Sequence, residues 1–255
     1  MEIKVLGTGS SGNCYALKAG GKDGQILLLD AGLPAIKIVR KIQGSNWNWI
    51  QTVGCLITHE HGDHCTGAQG IANLGVKTYA TAGTIEAAHL NVGLTRLNAV
   101  QMLSSFDIGD FTVMPFETQH DAKEPCGWLI RFNPTGEIAV YATDTYYLKQ
   151  TFPGVNYWIV ECNYVEEIMN AQQEDGELEP ELRNRLMKSH MSLRRLCDAL
   201  KANDLRYTRA ILLVHLSDER SDEQRMVESV KRVADIEDVW AAEAGKTYQM
   251  NLLPF

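Results

Sequence analysis

The sequence predicts a single α/β domain spanning residues 1–255, and three observations predict it. A chain of 255 residues is long enough for one large buried core and short for two full domains. Short apolar, partly β-branched runs bounded by glycine alternate with helical patterns. Strand after strand in this reading ends in a potential ligand, at Asp30, His59, His120, Asp144, Glu161 and His215. Strand ends gather at one edge of packed sheets, so these side chains can converge although they are far apart in sequence.

Taken in order, residues 3–6, 15–18 and 25–29 read as strands. The loop Gly7-Thr8-Gly9-Ser10-Ser11-Gly12-Asn13 resembles a phosphate cradle but lacks the Gly-Lys-Ser/Thr ending of a P-loop. It reads either as a tight hairpin connection or as a loop facing a substrate. Asp30 closes the third strand, as a helix N-cap or as a carboxylate orienting a metal-binding histidine, and Pro34 opens a helical pattern through residue 42. Residues 68–74 read as helix, 76–80 as strand, and 81–90 as a helix capped by Thr81. Strands follow at 106–108 and 111–116, then a hairpin of 128–132 and 137–142 around Asn133-Pro134-Thr135-Gly136, then a strand at 157–160. Helices dominate next, at 166–170, 181–187 and 192–201, the last capped by Ser192. A strand at 210–214, a helix at 221–234 and short strands around Val239 and Tyr248 close the chain. Residues 174–179 are the one stretch resembling a mobile insertion.

Composition narrows the class. With 45% hydrophobic and 22% charged residues, the chain reads as an ordinary soluble globular protein. Its start lacks the layout of a signal peptide and no apolar run has the length of a membrane span, so no membrane partner is expected. Six scattered cysteines without a CxxC pair suit reduced thiols in a cytoplasmic compartment. The net charge of -8 argues against wrapping a long nucleic acid by general electrostatics. Local charge differs: Arg183, Arg185, Lys188, Arg194, Arg195, Lys201, Arg206 and Arg209 follow an acidic segment, residues 166–179. No oligomeric state is read from the sequence.

The densest chemistry lies in residues 56–67, LITHEHGDHCTG. His59, His61, Asp63 and His64 fall within six residues, directly after an apolar run. Ligands at alternate and adjacent positions cannot all face one side of a regular helix or strand, so the segment should be a turn leaving a strand end. Such a turn can present two ligand pairs to two metal ions; imidazole suits zinc, and the carboxylate tolerates harder ions. Cys65, beside His64, is expected to pack under the turn rather than ligate.

His-x-His-x-Asp-His, followed by separate His, Asp and His residues at strand ends, resembles the metallo-β-lactamase superfamily over nearly the whole chain. The resemblance implies a four-layer αββα sandwich with its site at one edge of two sheets. It implies that His59, His61 and His120 hold a first divalent metal, that Asp63, His64 and His215 hold a second, and that Asp144 bridges them. Zinc suits the set, with manganese or iron as alternatives, and Asp30 would orient a ligand. More narrowly, Gly7 to Cys14, His120-Asp121-Ala122 with Glu124-Pro125-Cys126-Gly127, Glu161-Cys162-Asn163-Tyr164 and His215-Leu216-Ser217 resemble the YycJ-type subgroup, which implies action on DNA ends. Ser189-His190-Met191-Ser192 departs from the Gly-His-Leu-Ser usual there.

Aspartate rather than cysteine at position 144 argues against a β-lactam substrate, while phosphodiesterases and thioesterases share it. His190 belongs to no expected ligand position. In related RNA-processing nucleases a histidine placed in this way, supported by a glutamate like Glu161, donates a proton to the leaving oxygen; capping or packing at a helix start is the structural alternative. The catalytic candidates are thus His190, Glu161 and Asp63. The basic cluster would line a phosphate groove, and Trp47, Trp49 and Tyr146 would either stack on bases or pack in the core. The leading expectation is a phosphodiesterase or nuclease on single-stranded or end-frayed DNA. A hydrolase of a small thioester, lactone or cyclic nucleotide comes next, and a non-catalytic metal-binding regulator last.

Overall fold

The structure, a computed structural model, describes residues 1–91 and 96–250. The chain forms two compact units. The first comprises Met1–Glu117, Ala122–Ile138 and the chain from Glu243 on; the second comprises Thr118–Asp121 and Ala139–Ala242.

In the first unit β1 (Glu2–Gly7), β2 (Cys14–Ala19) and β3 (Gln25–Leu29) form an antiparallel meander. After α1 (Ala35–Gln43) the pairing turns parallel: β4 (Thr52–Leu56) lies on β3, followed outward by β5 (Thr78–Thr81) and β6 (Leu97–Val100). A C-terminal strand, Thr247–Gln249, pairs antiparallel with β1. Between β4 and β5 lie α2 (Gly62–Cys65) and α3 (Ala68–Asn73), and between β5 and β6 lies α4 (Ala82–Ala87). A second antiparallel run in this unit is β7 (Phe106–Ile108), β8 (Phe111–Glu117) and β9 (Cys126–Phe132).

The meander-to-parallel change follows from the connections. Two residues of spacing or a short loop suffice for an antiparallel return, whereas β3 to β4 passes through α1, as a parallel crossover requires. Ile38 and Ile42, at i and i+4 on α1, are fully buried with Leu28, Cys55 and Ile71. Burial of each isoleucine contributes about 1.5–3 kcal/mol and seats the helix on the sheet.

The second unit carries a parallel sheet: β10 (Glu137–Ala142, from Ala139), β11 (Tyr157–Glu161), β12 (Ala210–Val214) and β13 (Val239–Ala241). Parallel strands buried on both faces read as continuous apolar runs, as YWIVE and AILLV do. The crossovers are α5 (Glu166–Glu174), α6 (Pro180–Ser189) and α7 (Leu193–Lys201) before β12, and α8 (Glu223–Ala234) after it.

Thr81 and Ser192 cap their helices as the sequence predicts, each side chain accepting from a backbone N–H three residues on. The last helix begins later than expected, at Glu223, because the Asp222 carboxylate accepts from Arg225 N at 2.9 Å. β6 is absent from the sequence expectation; LNAV is half exposed and carries no alternation to announce it. The stretch 174–179, expected to be mobile, is pinned: Leu178 is buried with Tyr164 and Met169, and its N–H donates to Gln172 O. Among the described residues no helix is long and apolar enough to cross a membrane.

Candidate metal-binding residues

Each unit gathers its own cluster of ligand-type side chains. In the first, the turn after β4 is not irregular throughout, as expected, but contains the four-residue helix α2. His61 sits at its N-cap position and its carbonyl accepts from His64 and Cys65 N–H. That one helical turn brings the imidazoles together: the His61 ring meets the His59 ring edge-on at 4.7 Å, and the His64 ring lies tilted 4.3 Å from it.

Asp30 fixes two of them. Its carboxylate, fully buried, accepts from Thr58 N at 2.7 Å, from Thr58 Oγ1, and from His64 Nδ1 at 2.8 Å. Because the Thr58 hydroxyl donates to Asp30, it accepts from His59 Nδ1 at 3.0 Å. Both rings are therefore held through Nδ1 and offer Nε2 as the metal-ligating atom, the pattern that orients histidine ligands in metal proteins. Asp30 is not a helix N-cap, since α1 begins after Pro34; its carboxylate holds Thr58 and His64 instead.

Asn13 joins this cluster unannounced. Its Nδ2 lies 3.0 Å from His64 Nε2 and 3.4 Å from Asp63 Oδ2, while its Oδ1 accepts from Gly9 N at 2.9 Å. The Gly7–Asn13 loop is thus a hairpin connection whose last residue reaches the ligands. The signal was present in the sequence, as a polar residue ending a glycine-rich loop just before a buried strand. Cys65 is buried in the core with Cys14 and Cys55, as expected of a residue packing under the turn, and burial pushes its thiol up to about 12. All six cysteines are free.

In the second unit the ligand-type residues stand at strand exits. Asp144 follows β10, Glu161 ends β11 and His215 follows β12. One polar atom each of Asp144, Glu161, His190 and His215 falls within 4.8 Å of the others. Asp144 lies between two imidazoles, with Oδ2 3.5 Å from His120 Nε2 and Oδ1 2.9 Å from His215 Nδ1. His120 Nδ1 donates to Ser189 O at 2.8 Å, so this ring too presents Nε2. Burial lowers the His120 pKa against the pull of Asp144, favouring the neutral, ligating form.

Glu161 is the hub. Oε1 accepts from His190 Nδ1 at 2.7 Å and from His215 Nδ1 at 3.0 Å, and Oε2 accepts from Thr145 N and Met191 N, both at 3.0 Å. Burial alone would raise this carboxyl, but His190 and the hydrogen bonds hold it below its ordinary value. Burial likewise works against protonated His190, and Glu161 overrides it, raising the imidazole. The expected His190–Glu161 pair is therefore present, and the contact of Glu161 with His215 is an addition that sequence could not supply.

Three of these exits share a backbone feature. Asp30, Asp144 and His215 all have positive φ, at 59°, 48° and 55°. Non-glycine residues adopt this region rarely, and Asp and Asn tolerate it best.

The basic cluster does not act as one group. Arg194 pairs with Glu166, Arg206 with Asp204, and Arg183 donates to Asn170 Oδ1. Arg185 binds Asp121, next to His120, and Arg195 donates to Met187 O at 2.6 Å while lying over the Tyr146 ring. Trp47 is buried in the core, which corrects its base-stacking alternative, and Trp49 is half-buried against that core.

The donor set fits divalent metals: imidazole nitrogens held in one tautomer, and carboxylates, with the thiols packed elsewhere. Residues 27–216 match the family model described as the β-lactamase superfamily domain. The chain is 29% identical over 232 residues to the exodeoxyribonuclease WalJ of Streptococcus pneumoniae, covering 86% of this chain and 83% of that protein. It is 29% identical over 177 residues to the exodeoxyribonuclease YycJ of Bacillus anthracis, covering 66% and 65%. Among solved structures, the metallo-β-lactamase fold protein YhfI of Bacillus subtilis superposes with a TM-score of 0.71 at 17% identity, over 97% of this chain and 98% of that one. The αββα fold expected from the sequence thereby holds, and the chain belongs to the metallo-β-lactamase superfamily.

Proposed function

We propose that this metal-dependent hydrolase is a phosphodiesterase acting on DNA, as an exonuclease on single-stranded or end-frayed strands, and that its two units work as one hydrolase domain. Similarity to WalJ and YycJ, both named exodeoxyribonucleases, supports the substrate class. The observation that carries the reading is His190 held at 2.7 Å by buried Glu161, beside Asp144 and His215. A thioester needs little help for its leaving thiolate, whereas a departing alkoxide needs a proton, and an oriented imidazole is suited to give it.

In this reading His59, His61 and His120 would hold one divalent ion, Asp63, His64 and His215 would hold the other, and Asp144 would be shared by the two. Zinc is the first candidate, then manganese or iron. When bound, such a pair activates water and neutralises charge on the phosphoester oxygens. His190 passes its Nε2 proton to the leaving oxygen, and Glu161 steadies the ring and its charge through Nδ1. Asp30 and Ser189 O hold the ligand imidazoles in the tautomer that exposes Nε2. Six free cysteines support work in the cytoplasm.

The test is substrate preference of metal-reconstituted protein. Cleavage of bis(p-nitrophenyl) phosphate and of single-stranded oligodeoxynucleotides, with little turnover of a thioester or nitrocefin, is expected. The opposite preference removes the nuclease reading, and no turnover of any of them favours a binding role.

A further inference from the structure

We propose that the cleft between the segment following Asp144 and helix α7 is a nucleobase subsite, a deepening that rests on the phosphodiesterase reading above. The cleft holds about 430 Å³, within the ordinary range of small-molecule pockets. Tyr147, Leu148 and Gln150 form one wall; Arg195, Ala199 and Ala202 form the other.

Four features specify the ligand. The walls are mainly apolar apart from their rims, so they ask for a flat, weakly hydrated group. Tyr147 lines the cleft and is 53% exposed overall, an aromatic side chain of the sort on which bases stack. Gln150 lines the cleft, and its Oε1 is buried with no hydrogen-bond partner among the described residues, an acceptor that a turn of the side chain would present to an N–H donor. Burying an amide oxygen without a partner is costly, so a ligand supplying a donor gains what the free protein forgoes. Arg195, fixed by Met187 O and lying 5.4 Å over the Tyr146 ring, sets a positive charge at the same cleft.

An aromatic ring with N–H donors, joined to an anion, is a nucleotide. The position agrees with that identity. Tyr146 and Tyr147 directly follow Thr145, whose N–H is bonded to Glu161, so the lining of the cleft begins three residues after Asp144. The cavities along α8 differ: they are lined mainly by charged side chains and include no aromatic wall.

The experiment measures binding and turnover separately in the full chain. Deoxyadenosine 5′-monophosphate and inorganic phosphate are titrated into wild type, Tyr147→Ala and Gln150→Leu by calorimetry. Wild type is expected to bind the nucleotide more tightly than phosphate, and Tyr147→Ala to weaken the nucleotide about tenfold, the scale of one lost stacking contact. Gln150→Leu should weaken it severalfold, with phosphate binding and turnover of bis(p-nitrophenyl) phosphate unchanged in both variants. Equal nucleotide affinity in wild type and Tyr147→Ala, or nucleotide binding no tighter than phosphate, overturns the subsite. If the protein cleaves bis(p-nitrophenyl) phosphate but no DNA, while binding the nucleotide through Tyr147, the DNA reading falls and the subsite stands. DNA cleavage with nucleotide affinity indifferent to Tyr147 has the reverse meaning.

Discussion

Glu161 spends its two oxygens on four donors, two of them imidazoles given different tasks. His190→Ala should therefore leave metal content intact and lower kcat on a phosphodiester by about 10²–10³-fold, the usual loss for a positioned general acid. Loss of metal instead would reassign His190 as a ligand. Glu161→Gln should do more, because it also removes the carboxylate charge at His215 Nδ1 and leaves that nitrogen to be held mainly by Asp144 Oδ1. Metal affinity is expected to fall about 10–100-fold, as when a group orienting a ligand histidine is removed, and dialysis against graded chelator would measure it. His215→Ala should lose one metal equivalent, and unchanged stoichiometry would refute the ligand assignment. Ser189, where the related subgroup usually has glycine, contributes more than its carbonyl. Asp121 is held below its ordinary pKa, against burial, by His120, Arg185 and the Ser189 hydroxyl.

Among the elements, the turn carrying α2 depends on a glycine two residues after Asp30. A Cβ on Gly32 would fall 1.7 Å from Asp63 O and 2.7 Å from Asn13 N, both backbone atoms that cannot step aside cheaply. Gly32 N donates to Asn13 O, and Asn13 N donates to Asp63 O, so three segments meet there through main chain alone. Gly32→Ala should cost about 2–4 kcal/mol, read by urea unfolding. A variant as stable as wild type would mean that the turn relaxes freely. This junction also shows where sequence reading stops. Spacing of His59, His61, Asp63 and His64 made a metal turn legible, and glycine-bounded apolar runs made most strands legible. For Asn13 only the glycine-rich loop before it was legible; its place beside Asp63 comes from a backbone approach between segments 50 residues apart. Trp47 and Trp49 offered rings without direction, and only tertiary packing places the first in the core and the second half-buried against it.

At the scale of the whole molecule, a net charge of -8 and the proposed DNA substrate, with a negative charge at every phosphate, oppose each other. Productive binding of DNA must then rest on a few local cations, since most arginines near α6 and α7 are already paired. KM for an oligodeoxynucleotide should rise with salt, but with a shallow slope set by few phosphate contacts, while KM for bis(p-nitrophenyl) phosphate stays nearly flat. A steep slope would reveal an extended basic track. Metal also stabilises the fold it binds. At a free concentration about 100 times Kd it adds about 2.7 kcal/mol, or roughly 5–10 °C in Tm for a chain of this size, which chelation should remove and zinc restore. The left-handed backbone at Asp30, Asp144 and His215 carries an evolutionary consequence. Glycine is the residue that such a conformation favours, at a saving of about 1–2 kcal/mol per position, yet glycine offers no donor atom. Selection for stability and selection for the reaction pull opposite ways at these three codons. A descendant released from catalysis should drift to glycine at 144 and 215 first, so glycine there in a relative would mark a member that keeps the scaffold and has abandoned the metal.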